Sequence, residues 1–380
     1  MARFLHVSDT HLGSRQYMSD MREQDFFDAF TESVDIAIRE KVDFIVHSGD
    51  LFDNWSPSNR SLMVFRDQAM RLRDAGIPTF LIMGDHDRPK RTDYPAAQIF
   101  DFMGIKLLGK EEAEFVTFRS EGEEILIAGI SNMKGLRKER LPLEYSRADE
   151  KASGYESSIL LSHQAVKGFL HDDAIEVQRD ELPKNFTYLA FGHVHDSALQ
   201  INRRPIFAYA GSTEMKSDRE INAYLKNGKG VNLVDISHGS AKVERLRLNT
   251  VRPQFLIETD YENYLTDIEE TLRKYSVLIG QKKPLVSIKI FGDADRESVK
   301  SKLSTFDNLV FRPPFFIPRV TEVEMKTGIN NASDFIREFF SDDPDISKLA
   351  SDYFREFRNS REDARAVLEK ELEQYGAKEQ

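Results

Sequence analysis

Seven residues able to ligate a metal ion stand in five short clusters: Asp9 and His11 in SDTH, Asp50 in GDLFD, Asp85 in GDHD, His163 in LSHQ, and His193 and His195 in GHVH. His86 and Asp87 share the third cluster. Carboxylates and imidazoles in this number suit a pair of divalent cations. Two such ions roughly 4 Å apart, bridged by a carboxylate, bind a phosphate ester, activate a water and stabilise the leaving oxygen. Ligands of this kind without thiolate suit manganese, iron or zinc better than magnesium. Taken singly, each residue also has an ordinary explanation: Asp50 could cap a following helix, and Asp87 could hold a turn. Their joint occurrence, each time where an apolar run breaks, points to phosphate-ester hydrolysis.

The elements that must position them are readable too. The runs ending at these clusters, including DFIVHSGD (43–50), TFLIMGD (79–85), SSILLSH (157–163) and TYLAFGH (187–193), are short, apolar and bounded by breakers. That pattern predicts strands buried on both faces. Amphipathic stretches at 22–41 and 58–76 predict helices between the early strands, the second closing on Gly76. Strand and helix in alternation imply an α/β sheet with helices on its faces, which binds ligands at the carboxyl ends of its strands. Five strand ends are therefore expected to feed one site. His6 and His47 lie inside runs and read as core histidines, whereas His171 and His238 have no neighbouring motif and read as surface residues.

Composition sets the outer bounds. The chain has 380 residues, 40% hydrophobic and 31% charged, enough for two or three domains with a sizeable core. The absence of cysteine excludes disulfides, thiolate metal sites and cysteine nucleophiles. No run approaches the roughly 18 apolar residues of a membrane span, and MARFLHVSD turns acidic too early for a signal peptide, so a cytoplasmic protein is expected. The net charge of −11 weighs against a nucleic-acid partner unless a basic face is hidden in the acidic total. Arg203, Arg204, Lys216, Lys282, Lys283 and Arg312 are the candidates for such a face.

The ordered motifs resemble those of the calcineurin-like metallophosphoesterase superfamily: DxH, GDxxD, GNH followed by an acid (here Gly84, Asp85, His86 and Asp87), a lone histidine, and GHxH. The stretches DTHLGSRQYMSDMREQDFFDAF, GDLFDNWSPSN, AYAGSTEMKSDRE and KGVNLVDI resemble, more narrowly, the nuclease subunit of the double-strand-break repair complex, the meiotic-recombination-eleven or SbcD type, in an archaeal form. The likeness covers about the first 250 residues, and the remainder by architecture only. It implies a β-sandwich flanked by helices over 1–250, a small α/β capping domain over 251–325 that helps hold DNA, and a helical segment over 331–380 that docks on a partner.

The resemblance further implies two Mn2+ ions per subunit. One would be held by Asp9, His11, Asp50 and His195, the other by Asp50, Asp85, His163 and His193, with Asp50 bridging. His86 would sit beside the scissile phosphate, oriented by Asp87. The implied activity is 3′-to-5′ exonuclease action on double-stranded DNA ends and endonuclease action on single strands and hairpins, in a nucleoid-associated cytoplasmic complex with a coiled-coil, chromosome-maintenance-like ATPase. Leu349, Tyr353, Phe354 and Phe357, with Ile346, form one helical stripe suited to that ATPase; Leu368, Leu372 and Tyr375 begin another after a capping box at Ser360 and Asp363. Leu62, Phe65 and Ile99 are candidates for a homodimer interface, although packing within one chain explains them almost as well.

Two positions depart from the family pattern. Asp85 stands where a neutral asparagine is usual, and Asp53 where a histidine is common. An added carboxylate tightens cation binding while weakening the pull on an anionic phosphate. Two alternatives follow: a phosphatase or cyclic-nucleotide phosphodiesterase on the same scaffold, and a DNA-end tethering scaffold whose catalysis Asp85 weakens. GDLFDNW lacks the arginine-bearing motif of the protein phosphatases.

Overall fold

The buried runs assemble into two six-stranded sheets that face each other. The computed structural model describes residues 1–89, 94–169, 175–202, 204–318, 344–357, 364, 365, 367 and 368. It divides into two units, Met1–Ile317 and Pro318–Gln380. In chain order the first unit runs β1 (Ala2–Val7), α1 (Asp20–Arg39), β2 (Phe44–His47), α2 (Asn59–Asp74), β3 (Thr79–Leu81), β4 (Ile105–Leu107), β5 (Glu114–Ser120) and β6 (Glu123–Ile130). There follow α3 (Leu141–Ala152), β7 (Ser157–His163), β8 (Tyr188–Gly192), β9 (Ala198–Gln200), β10 (Ile206–Tyr209), α4 (Ile221–Asn227), β11 (Gly230–Ser237) and β12 (Ser240–Arg247). The unit closes with β13 (Gln254–Asp260), α5 (Tyr264–Lys274), β14 (Leu285–Phe291), α6 (Arg296–Leu303), β15 (Val310–Phe311) and β16 (Phe315–Ile317).

The first sheet has the order β12-β11-β1-β2-β3-β4 and the second β5-β6-β7-β8-β10-β9. The five ligand-bearing strands are thus split between two sheets rather than gathered in one. β1, β2 and β3 run parallel in the first, β7 and β8 parallel in the second. Between the sheets lies a core of Phe4, Phe44, Val46, Phe80, Ile127, Ile159, Leu161 and Tyr188, all buried, with Phe4 and Phe44 stacked at 5.1 Å. Each sheet is apolar on its outer face as well, which is why the runs read as continuous rather than alternating. α1 and α2 cover the first sheet through Phe27, Phe30, Phe65 and Leu72, and α3 covers the second through Leu141, Tyr145 and Ala148.

α2 begins where Ser58 Oγ accepts the Ser61 N–H, and its chain turns away at Gly76, whose φ of +72° glycine adopts without penalty. Residues 254–317 form a third sheet, β13, β14, β15 and β16, all parallel to β14, packed by α5 and α6 around Ile257, Ile268, Ile288 and Val299. This is the expected strand-helix-strand module, with its last strand broken in two. Buried ion pairs join the third sheet to the sandwich: Arg252 reaches Asp25 at 2.7 Å, Lys282 reaches Asp25 at 2.8 Å, and Arg22 lies between Asp25 and Glu214.

In the second unit, α7 (Pro344–Phe357) carries Ile346, Leu349, Tyr353, Phe354 and Phe357. Leu368 is described as helical, whereas Ser360, Asp363, Leu372 and Tyr375 lie outside the described residues. No described helix is long and apolar enough to cross a membrane.

Candidate metal centre

The C-terminal ends of β1, β2, β3, β7 and β8 open on one edge of the sandwich, and all seven candidate ligands meet there. The loops after β1 and β2 are tied together by backbone bonds from Asp9 N to Gly49 O and from His11 N to Asp50 O, both 3.0 Å. This fixes Asp9 and His11 beside Asp50. Asp9, His11, Asp50 and His193 all have φ between +42° and +89°, a region that non-glycine residues seldom occupy. Strain concentrated at four converging ligands is the mark of a site that its surroundings hold in place. Gly84 and Gly192 belong to the same device: a Cβ on Gly84 would strike the Asp50 carboxylate, and one on Gly192 would strike the Ser48 carbonyl and Ser8 Oγ.

Asp50 lies at the centre. Its Oδ2 is 3.7 Å from His11 Nε2 and 3.5 Å from His163 Nε2, while its Oδ1 accepts the His86 N–H at 3.0 Å. On one side, Asp9, His11 and His195 bring ligand atoms within 4.8 Å of one another; on the other, Asp85, His163 and His193 do the same. His163 Nδ1 donates to the Ser48 carbonyl at 2.7 Å, so its Nε2 faces the cluster. His195 Nδ1 lies 3.0 Å from Glu220 Oε1, which orients its ring in the same manner. Glu220 is steadied by Lys229 at 2.5 Å. The donor set of carboxylate and imidazole atoms, oriented from behind and converging around a shared carboxylate, fits two metal ions.

The electrostatics agree. Burial disfavours charge on Asp50, yet His163 and His11 outweigh it and hold the carboxyl well below the ordinary range. Asp85 is depressed in the same way by His163 and His193. Burial also opposes a proton on His163, but Asp50, Asp85 and Asp9 raise its pKa well above the usual value. At His11 burial prevails and the pKa falls well below it. The cluster keeps its carboxylates charged and is complementary to cations.

One expected role is corrected. The Asp87 carboxylate is taken up by backbone rather than by the His86 ring: it accepts the N–H groups of Leu51, Phe52 and Gly84 at 2.9 to 3.0 Å, stapling the β2 and β3 loops together. Burial, and after it the nearby Asp50 charge, raise its pKa to about 6 despite those bonds. His86 is oriented by a backbone group instead, its Nδ1 donating to the Asp53 carbonyl at 2.6 Å. A buried carboxylate finds three orphan amides before it finds a half-exposed ring.

Both departures from the family pattern are paired with lysines. Asp85 Oδ2 bonds Lys134 Nζ at 2.8 Å, and Asp53 Oδ1 meets Lys216 Nζ at 2.9 Å. Lys216 Nζ also lies 3.2 Å from His86 Nε2 and 3.2 Å from His11 Nδ1. Of the basic candidates, Lys216 is therefore at the cluster, while Lys282 and Arg312 are engaged with Asp25 and Asp218 and Arg203 lies outside the described residues. Sequence reasoning missed Lys134 and the Glu220–Lys229 support. The SDRE stretch at 217–220, a capping box in the structure, was the available signal for Glu220.

The remaining expectations sort by burial. His6 and His47 are core residues, bonded to Tyr188 and Ser48 and to Thr10, and burial lowers both to about 3. His238 is exposed, and His171 lies outside the described residues. Phe65 points inward, at 3% exposure, between Phe30, Phe52 and Phe100, because it continues the inward stripe of Ser61, Ala69 and Leu72. It has no surface to offer a second copy. Leu62 is half-buried, whereas Ile99, Met63 and Phe102 are exposed.

A model of the calcineurin-like phosphoesterase family matches residues 2–197. A dimetal phosphatase from Danio rerio aligns in structure with a TM-score of 0.44 and 11% identity, over 64% of this chain and 95% of that one. The DNA double-strand break repair protein Mre11 of Thermoplasma acidophilum is 47% identical over 343 residues, 89% of this chain and 90% of that protein. The protein of the same name from Sulfurisphaera tokodaii is 38% identical over 79% of this chain and 76% of its own length. The chain belongs to the Mre11 family of calcineurin-like phosphoesterases.

Proposed function

We propose that this chain is a dimanganese-dependent DNA nuclease that shortens double-stranded ends from the 3′ side, cuts single strands internally, and works with a coiled-coil ATPase. The observation that carries it is Asp50 Oδ2 lying between the Nε2 atoms of His11 and His163, where one carboxylate can serve two ions. Asp9, His11, Asp50 and His195 would hold one ion, and Asp50, Asp85, His163 and His193 the other. When bound, the ions supply charge to grip a phosphodiester and an activated water to attack it.

The chain's own residues do the rest. His86, fixed through Nδ1 on the Asp53 carbonyl, turns Nε2 toward Lys216 at the same place. The ammonium of Lys216, donating to His86 Nε2, supports a phosphate-facing role, with a preorganised cation where charge develops. The third sheet, tied to the sandwich by Arg252 and Lys282, would act as the DNA-holding cap of residues 251–325. The segment 331–380 would grip the ATPase through Leu349, Tyr353, Phe354 and Phe357. A homodimer would form through the exposed Ile99, Met63 and Phe102, with Leu62 at the edge. The activity would serve double-strand break repair, which the name of the relatives supports, in the cytoplasm at the nucleoid.

Digestion of end-labelled duplex DNA with manganese, magnesium or chelator tests the proposal. Manganese-dependent shortening from 3′ ends, lost in His86→Ala, is expected. Intact DNA together with hydrolysis of small phosphomonoesters would overturn it.

A further inference from the structure

Asp85 presents its two oxygens to different neighbours. Oδ1 faces the cluster, 3.3 Å from His163 Nε2 and 3.2 Å from His193 Nδ1. Oδ2 is taken by Lys134 Nζ at 2.8 Å. Lys134 comes from the other sheet, four residues past the end of β6 at Ile130, and a second acid, Glu176 Oε1, lies 3.9 Å from its ammonium. Glu176 is itself fixed, its Oε2 accepting the Ala165 N–H at 3.0 Å, two residues beyond His163. The ammonium is thus held at the mouth of the cluster by two anchored carboxylates, although its side chain is half exposed.

A carboxylate whose second oxygen is bound to an ammonium has the charge and the single free acceptor of a neutral amide. Alone, Asp85 would add one negative charge beside Asp9 and Asp50, where an anionic phosphodiester must come. Paired, it adds none. We propose that Lys134 is a positioning residue that neutralises Asp85 and confines it to one inward oxygen, so that the centre keeps its attraction for phosphate. This rests on the two-ion reading above. It also removes the reason to regard the site as crippled by Asp85.

The pair makes a distinctive pattern in a double-mutant cycle. With Lys134→Met, the freed carboxylate should tighten Mn2+ binding and weaken the affinity of the Mn2+-loaded full-length protein for thymidine monophosphate, by on the order of tenfold. Asp85→Asn replaces a residue of the centre itself and serves only as the second background of the cycle, its own affinities being the reference there. Lys134→Met added to Asp85→Asn should change little, because the lysine then has no carboxylate of the centre to neutralise and stays with Glu176. Lys134→Arg should preserve both affinities. Calorimetric titration of Mn2+, then of thymidine monophosphate, reads all of these without turnover. Equal shifts from Lys134→Met in both backgrounds would overturn the proposal and make Lys134 an independent phosphate-attracting cation; no shift in either would make it an ordinary surface residue. A parent that binds no Mn2+ would instead overturn the two-ion reading on which the proposal stands.

Discussion

Two buried clusters of charged side chains lie in the same unit and are composed on opposite terms. At the junction of sandwich and third sheet, Arg22, Arg252 and Lys282 converge on Asp25, Asp28 and Glu214, three cations on three carboxylates. At the strand ends, three carboxylates and four imidazoles converge, and the ammonium groups of Lys134 and Lys216 stand against Asp85 and against Asp53 and His11. The first cluster closes its own charge balance and so fixes geometry. The second leaves lone pairs facing one another and so invites a cation. Backbone strain follows the same division, since Asp9, His11, Asp50 and His193 have positive φ and none of the junction residues does.

The comparison breaks most sharply at Asp25. Asp25→Ala leaves Arg22 and Arg252 without their shared carboxylate and should destabilise the protein by about 3–5 kcal/mol in denaturant unfolding, while the folded fraction binds Mn2+ as before. A loss of metal affinity with unchanged stability would mean the two clusters had been assigned the wrong way round. Glu220→Gln sharpens it from the other side. Weakening the hold on His195 Nδ1 should lower affinity for one ion by about 10- to 100-fold in titration, a loss that Asp25→Ala does not share, while the buried Lys229 left without its carboxylate also lowers the melting temperature.

A smaller effect is expected from acid. Burial pushes the Asp25 carboxyl up, but Arg252, Arg22 and Lys282 outweigh it and hold its pKa below the ordinary value. Its stabilisation is therefore complete above the unfolded pKa of about 3.9 and is lost as pH falls through the lower, folded value. Thermal unfolding followed downward from about pH 5 should show this loss in the parent and a shallower one in Asp25→Asn. The smallest effect belongs to Arg312, which lies over the Tyr17 ring at 3.7 Å and pairs with the exposed Asp218. Arg312→Ala should cost about 1 kcal/mol or less, read by chemical denaturation.

What could be read from the sequence was what is local in it. Asp9 with His11, the GD turns and GHVH each place a candidate ligand and a chain-breaker within a few residues, so all seven converging side chains were legible without a partner in view. The division of the five strands over two sheets was not, because a strand buried on both faces has the same composition in either sheet. Nor were the contacts between distant loops. Lys134 lies 49 residues from Asp85, and nothing near it in the sequence marks it out from other lysines. Asp87 was assigned to its neighbour His86, when its real partners are amides 35 and 36 residues away. Phe65 was read from helical spacing alone, which gives a stripe but not the side on which the core lies.

The most direct test of the central claim is a count of bound Mn2+ by calorimetry and electron paramagnetic resonance, in the parent and in Asp50→Asn. Two ions per chain with magnetic coupling in the parent, and loss of that coupling with much weaker binding in the variant, is the expected result. Two ions bound with unchanged affinity and coupling after Asp50→Asn would contradict the account, because the shared carboxylate would then not be what joins the two halves of the site.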